Sequence, residues 1–594
     1  MTEQEYLQQI HELEKQVLRL QTELKKNSET QYGLRWMDVP EAFEAEAENA
    51  IPTLEEVPDK AISNDDGKPT HILIEGDNFH ALTCLNYTHK GTIDVIYIDP
   101  PYNTGKDGFV YKDKRVLDKF PDGTTVPSDH PLRHSYWLSF MHKRLELAKN
   151  LLSNNGLIFI SIGDDEYFNL KLLCDHVFGE KNFIETYIWN STTRPDNSSP
   201  IYRRNAEFIL CCAKVKNNIQ YFNGVISTTS GMPSLTKLKE TIKTLTFDAG
   251  VVKTTLADGI YKAGLKENGR NPKWELVEDV QVKDGIIVTK LVVKGHSYWA
   301  TEKKIQEELA NGTEIWIKSE SFVPYYKKAK EAINRPTKIL PLEIVKDGLY
   351  ANTELNGGIF NGKVFDNPKP STLIEFLINF RDNKDITVLD FFGGSGTTMH
   401  ATMQLNEEDG GHRQCILVQQ NENNICEAVT YERNKRVMQG YTNAKGEAVA
   451  GLGNSMKYYR TAFVGEHKIT DITDADKVAL TQKAGCLLAL GENTLEEIKT
   501  AKSYQIFQLR KGDKPTNDFG YTAVYFSGNL LQFADFRREI EQIQAAHPLT
   551  RIAVYVFTWG DPSVFENEFD DLSGITIKPI PQPILEIYQN IHQL

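Results

Sequence analysis

The sequence predicts an α/β fold in which a parallel sheet is interrupted by a β-rich module. Two apolar runs, Ile93-Asp94-Val95-Ile96-Tyr97-Ile98 and Gly156-Leu157-Ile158-Phe159-Ile160-Ser161-Ile162, have the length and character of strands buried on both faces of a sheet, and helical patterns follow them. The rhythm breaks near Lys214. From there to Lys346, short strands alternate with turns such as Asn268-Gly269 and Lys283-Asp284-Gly285, and the α/β alternation then resumes.

In chain order, Ile10, Leu13, Val17, Leu20 and Leu24 fall on one seam of a helix, so residues 1–30 read either as a short coiled coil or as an amphipathic helix packed on its own domain. An acidic stretch from Glu41 to Asp66 reads as a connector. Ile72–Glu75 is a strand, Asn78–Leu85 a helix, and Ile93–Asp99 a buried strand. The pattern then predicts a helix over 137–152, a strand over 156–162, a helix over 165–178 and strands over 183–189 and 207–213. After the β-rich module it predicts helices over 372–380, 397–405 and 425–438 and strands over 386–391 and 414–419. A last α/β segment carries helices over 474–487 and 529–545 and a strand over 551–557.

A chain of 594 residues exceeds what one hydrophobic core organises. No stretch approaches the roughly 18 to 20 apolar residues that span a bilayer, and the first residues lack a basic end followed by an apolar segment, so a soluble, unexported protein is expected. The seven cysteines and fourteen histidines show no zinc spacing, and no metal is expected. Asp164, Asp165 and Glu166 read as a helix N-terminus rather than a metal site. The net charge of −14 argues against a protein that coats nucleic acid indiscriminately, but charge is segregated by region. Residues 1–70 hold 7 basic against 16 acidic side chains, whereas 214–346 hold 22 Lys and Arg against 15 Asp and Glu.

Two motifs carry the chemistry. Asp99-Pro100-Pro101-Tyr102-Asn103-Thr104-Gly105 directly follows a buried strand, at the strand end where ligands of parallel sheets sit. The paired prolines remove two backbone donors and fix φ, leaving rigid carbonyl acceptors beside the Asp99 carboxylate, and Tyr102 adds a flat ring for stacking. Such a set suits the exocyclic amine of an extruded nucleobase. The second motif, Asp390-Phe391-Phe392-Gly393-Gly394-Ser395-Gly396-Thr397, is a glycine-rich turn between strand and helix. A dinucleotide fingerprint starting at Gly394 would need glycine at 399, which is Met399, and no phosphate-loop Gly-Lys-Ser/Thr is present. The turn therefore fits a nucleoside-like ligand without a phosphate tail, and an oxidoreductase is set aside.

The pairing of these motifs resembles the β class of S-adenosylmethionine-dependent amino-methyltransferases of DNA. The run Glu75-Gly76-Asp77-Asn78-Phe79-His80-Ala81-Leu82, the segment Trp137-Leu138-Ser139-Phe140-Met141 and the length resemble more narrowly the modification (Mod) subunit of type III restriction-modification systems. The resemblance implies a Rossmann-like methyltransferase fold, circularly permuted, with the catalytic motif (Asp99, Pro100, Pro101, Tyr102) ahead of the cofactor motif. It places Asp390, Phe392, Gly394, Ser395, Gly396 and Thr397 around the methionine part of S-adenosylmethionine, Lys369-Pro370 in an extra cofactor-binding segment, and Asp77 at the adenine. Gln419 stands where many members use glutamate to hold the ribose.

The resemblance also implies transfer to N6 of adenine in duplex DNA, with N4 of cytosine as the alternative. A second reading makes the chain mainly the DNA-recognition subunit of a restriction complex. Its partners would be double-stranded DNA, a second copy in a homodimer and a separate helicase-nuclease subunit, all in a bacterial cytoplasm. The implied domains are a helix and connector (1–70), two halves of the methyltransferase (71–213 and 347–454), a basic target-recognition module (214–346) and a C-terminal α/β domain for dimerisation or docking (455–594). The module carries Tyr261, Trp274, Tyr298, Trp299, Trp316, Tyr325 and Tyr326 as candidate contacts.

Overall fold

The apolar runs marked as buried strands lie side by side in one nine-stranded sheet. Its strands are β1 (Ile51–Glu56), β2 (Thr70–Glu75), β3 (Ile93–Ile98), β4 (Leu152–Ile162), β5 (Phe183–Trp189), β6 (Glu207–Ala213), β7 (Thr387–Asp390), β8 (Gln414–Gln419) and β9 (Ser455–Val464). They run in the order β1-β9-β2-β8-β7-β3-β4-β6-β5. The computed structural model describes residues 34, 36, 50–103, 132–194, 201, 203–220, 222–223, 232–237, 240–266, 274–297, 299, 301–328, 335–528, 532–559, 565 and 567–592. The heptad pattern of residues 1–30, Thr104, Gly105 and Tyr298 lie outside these.

From β9 to β4 the neighbouring strands are parallel, whereas β1 and β6 run antiparallel to theirs. A parallel pair needs a crossover. Helix α1 (Asn78–Thr88) follows β2, α2 (Leu132–Leu151) precedes β4, and α5 (Thr397–Asp409) joins β7 to β8. Between β4 and β5 lies α3 (Tyr167–Cys174), which continues as a π-helical turn to Gly179, and α4 (Ser371–Ile378) precedes β7. The chain leaves β3 toward β4 on one side and leaves β7 toward β8 on the other. Since β3 and β7 are neighbours, the carboxyl ends of these two strands form a topological switch point, where open α/β sheets bind ligands. Buried Ile96, Ile98, Ile158, Ile160, Trp137, Phe140 and Leu389 fill one face beneath it.

The structure differs from the sequence reading at both ends of this sheet. Ile51–Glu56, read within the connector, is an edge strand paired with β9, and Ser455–Val464, read as the start of a C-terminal domain, lies between β1 and β2. Both belong to pairings some 400 residues apart in sequence, which local periodicity cannot register. The C-terminal segment adds its own five-stranded sheet (496–580), and α6 (Glu432–Gln439) is followed later by α7 (Asp474–Lys483) and α8 (Gly485–Glu492). Helix α8 packs on α1 and β1, so this segment shares one compact unit, Met1–Phe222 with Thr337–Leu594, with the nine-stranded sheet.

The second unit, Asn223–Pro336, is narrower than the segment 214–346 drawn from sequence. It holds a four-stranded and a six-stranded sheet and the helix Glu302–Ala310 around its own core. Trp274 and Trp299 are buried in that core, with the Trp274 indole N–H donating to Thr236 Oγ1 at 2.9 Å; they pack the module and are not available as surface contacts. Tyr261, Trp316, Tyr325 and Tyr326 are half-buried. Among the described residues, no helix is long and apolar enough to cross a membrane, and no cluster of His, Cys, Asp and Glu could hold a metal ion.

Candidate active site

Asp99 follows the last residue of β3, and Asp390 ends β7, two strands in direct register through Val95–Val388 and Ile96–Leu389. Motifs almost 300 residues apart therefore open into one cavity of about 460 Å³. Of the predicted residues, Asp99, Pro100, Pro101 and Tyr102 line it on one side, and Asp390, Phe392, Gly394, Ser395 and Thr397 on the other. Lys369 stands between the two groups. Asp77, Pro370, Gly396 and Gln419 are not among the lining residues.

The acceptor side is held rigidly. The Trp137 indole of α2 donates to the Pro101 carbonyl at 2.8 Å, while among the described residues no donor reaches the Pro100 carbonyl. The Tyr102 hydroxyl lies 2.9 Å from both Asp99 Oδ1 and Glu207 Oε2, and burial, reinforced by these carboxylates, pushes its pKa well above the ordinary value, so it acts as a donor. Asn103, in the left-handed region at φ 57°, donates to the fully buried Glu166, which also takes up His134 and Asn169. Asp164 and Asp165 pair with Arg204. The acidic triplet thus serves as a clamp for the loop and for α3.

Lys369 occupies a place that the sequence did not indicate. Its ammonium lies 2.7 Å from Asp99 Oδ2 and 3.5 Å from Glu207 Oε2, and over the rings of Tyr102 and Trp189. Burial pulls its pKa down, but the two carboxylates outweigh this and hold it above the ordinary value. Glu207, the first residue of β6, was missed. The only signal was a lone carboxylate opening an otherwise apolar strand.

The glycine turn is anchored from several directions. Asp390 accepts from the Phe392 N–H at 2.9 Å and from the Thr398 hydroxyl at 2.6 Å, so its carboxylate shapes the turn. Gln419 Oε1 accepts from the Gly394 N–H at 2.7 Å and its amide N–H₂ donates to the Gln420 carbonyl, so this side chain supports the turn from behind. Gly396 sits at φ 78° as the cap of α5, where a Cβ would fall 2.4 Å from Asn434 Nδ2, so only glycine fits. Asp77 caps α1 through the Phe79 N–H and faces Arg144. Pro370 caps the start of α4.

Beneath the turn lies Arg433 of α6, fully buried. One of its nitrogens donates to Ser395 Oγ at 3.1 Å and Thr397 Oγ1 at 2.7 Å, and the other reaches Glu354 at 3.1 Å and His400 Nδ1 at 3.0 Å. Burial and the Arg433 charge depress the His400 pKa, leaving a neutral ring able to accept. Cavity size, open glycine backbone and an apolar Phe392 wall fit a nucleoside-bearing ligand, since such sites run to roughly 300–1,000 Å³.

Burial raises the Asp390 pKa to about 7, opposed by its two hydrogen bonds and assisted by the Asp99 charge. A carboxyl that binds its proton more tightly when folded stabilises the fold below the unfolded pKa, and this contribution is lost as pH rises through the folded value. Asp390→Asn cannot lose it. We therefore expect the melting temperature of this variant to gain on the parent's as pH rises from about 5 to about 8. Thermal melts of the ligand-free protein across that range check this; a constant offset contradicts it.

Comparison with known proteins adds the context. The N6/N4 methyltransferase family model, described as DNA methylase, matches residues 93–442. The Mod subunit of the type III restriction-modification enzyme StyLTI of Salmonella typhimurium is 32% identical over 572 residues, 85% of this chain and 82% of that protein. The EcoPI Mod subunit of Escherichia phage P1 is 34% identical over 382 residues, 59% of this chain and 58% of that one. The EcoP15I Mod subunit of Escherichia coli is 29% identical over 388 residues, again 59% and 58%.

Proposed function

The chain belongs to the DNA methylases and, within them, to the type III Mod subunits, and from that premise we propose that it methylates the N6 amine of adenine at a specific duplex site. The observation that carries this reading is the shared cavity at the adjoining ends of β3 and β7, with carboxylate, bare carbonyl and aromatic ring on one side and the glycine turn on the other.

An aromatic amine is a poor nucleophile because its lone pair is delocalised into the ring. The Asp99 carboxylate and the Pro100 carbonyl accept its two N–H bonds, which localises the pair and aims it across the cavity. When bound, S-adenosylmethionine supplies a sulfonium methyl: the nitrogen–carbon bond forms as the sulfur–carbon bond breaks, with sulfur keeping the bonding pair. Asp99 then takes the proton that the methylated nitrogen sheds and passes it to water. Tyr102 stacks the extruded base, offsetting part of the unstacking cost. The glycine turn, Ser395 and Thr397 orient the donor. Asp at the head of the first motif favours adenine over cytosine.

In this reading the nine-stranded sheet, with strands from 51–213 and from 387–464, is a circularly permuted catalytic domain, and the basic unit between those segments of the chain reads sequence. The expected partners are duplex DNA, a second copy of the chain and a separate restriction subunit that cuts. Removing 223–336 and bridging its ends should leave S-adenosylmethionine binding intact and abolish site-selective methylation. Calorimetry and methylome sequencing check the two halves of that statement; a deletion that still methylates one sequence context contradicts it.

A further inference from the structure

Glu207 belongs to neither motif, yet it touches both Tyr102 and Lys369. The Lys369 ammonium rests on Asp99 Oδ2, beside the Tyr102 ring, which is the seat that the proposed reaction requires for the target amine. An ammonium and an aromatic amine both present N–H donors, but the ammonium carries a full charge and is the stronger partner for a carboxylate. A neutral amine reaches that oxygen only if the ammonium has somewhere else to go.

Glu207 Oε2 offers that place, 3.5 Å from Nζ. The two carboxylates are matched in their access to solvent, with side chains 28% exposed for Asp99 and 25% for Glu207, so neither oxygen is the costlier place for the charge. The Tyr102 hydroxyl, with one proton and two acceptors each 2.9 Å away, donates to one carboxylate at a time. With the ammonium on Asp99, that proton is best used on Glu207; with the ammonium on Glu207, it turns to Asp99. Trp189, paired with Glu207 across β5 and β6, lies 5.7 Å from the ammonium as a second ring beside the cation.

We propose that Glu207 is a positioning residue for methyl transfer and that Lys369 is a placeholder. In the absence of a base the ammonium closes the amine seat on Asp99; as the base enters, the ammonium moves to Glu207, the Tyr102 proton turns to Asp99, and Asp99 Oδ2 is freed for the amine. This rests on Asp99 being the acceptor of the target amine. It gives Lys369 a task at the reacting end of the cavity, beyond the cofactor segment in which the family resemblance placed it.

The test is single-turnover transfer of labelled methyl groups from S-adenosylmethionine to unmodified bacterial genomic DNA. E207Q keeps an acceptor for Tyr102 but removes the charge that receives the ammonium. It should slow transfer by about tenfold or more with S-adenosylmethionine affinity unchanged, and E207D should be faster than E207Q. Adding K369M to E207Q should recover part of the loss, because the placeholder is gone. Transfer by E207Q at the parent rate, E207D no faster than E207Q, or an E207Q/K369M double variant slower than E207Q would each overturn the proposal. Where K369M fails to fold or to bind S-adenosylmethionine, the ordering of E207D and E207Q decides. Parent and D99A proteins run alongside separate the layers: an inactive parent or an active D99A sinks the methyltransferase reading, whereas an active parent, a dead D99A and a normal E207Q sink this inference alone.

Discussion

Asp99→Ala should abolish methyl transfer while leaving S-adenosylmethionine binding unchanged. The carboxylate lies at the acceptor end of the cavity, and the glycine turn that orients the donor is anchored by Asp390, Gln419 and Thr430. In the proposed mechanism the carboxylate is the acceptor that localises the amine lone pair in the transition state, and the substitution removes it. A preorganised electrostatic contact of this kind is worth about 10² to 10³ in rate, and the proposed mechanism also gives Asp99 the shed proton, so a loss of about three orders of magnitude is expected. Its ammonium partner does not become an orphan, because Glu207 remains within reach. Calorimetric titration with S-adenosylmethionine and single-turnover transfer separate the two properties. Loss of both together would mean that Asp99 holds the fold of the site, and normal transfer would remove it from the chemistry.

Arg433→Met should produce the largest loss of stability in the site. The guanidinium is fully buried and joins four groups: the turn residues Ser395 and Thr397, Glu354, and neutral His400. Burying a charge is tolerable only when it is paired, and removing one partner strands the other. Glu354 would be left with Ser371 alone among the described residues, at a side-chain exposure of 11%. A cost of about 3–5 kcal/mol is expected, with S-adenosylmethionine affinity falling as Ser395 and Thr397 lose their anchor. Chemical denaturation and calorimetric titration measure the two effects. Unchanged stability would show that the network is dispensable; unchanged affinity in a destabilised protein would show that the turn holds itself.

Much of the fold was legible because the signals are local. Buried parallel strands such as 93–98, 414–419 and 551–557 are continuous apolar runs, and the two motifs declare themselves by proline and glycine chemistry directly after strands. What was not legible depends on topology. Glu207 gains its meaning because β6 runs antiparallel to β4, so that Phe208 pairs with Ile162 and the beginning of β6 lies at the carboxyl end of the parallel strands. No window around Glu207 contains that information. Gln419 and Asp77 stand at positions where the family resemblance suggests ligand contact, yet their side chains are engaged by the Gly394 N–H and by the start of α1. Trp274 and Trp299, with the composition of contact residues, fill the core of the basic unit. For the two tryptophans burial set by distant partners decided the role, whereas the Asp77 cap is made two residues away.

A cavity that brings the amine of adenine to a methyl donor, in a chain that chooses the sequence, should leave its mark on DNA inside cells. The most direct measurement is to express the chain alone in cells lacking DNA methylation, digest their DNA to nucleosides for mass spectrometry, and map modified positions by methylome sequencing. N6-methyladenine confined to one sequence context, and absent from cells carrying Asp99→Ala, is expected. N4-methylcytosine in its place would contradict the adenine assignment, and unmodified DNA from cells holding folded protein able to bind S-adenosylmethionine would contradict methyl transfer by this chain.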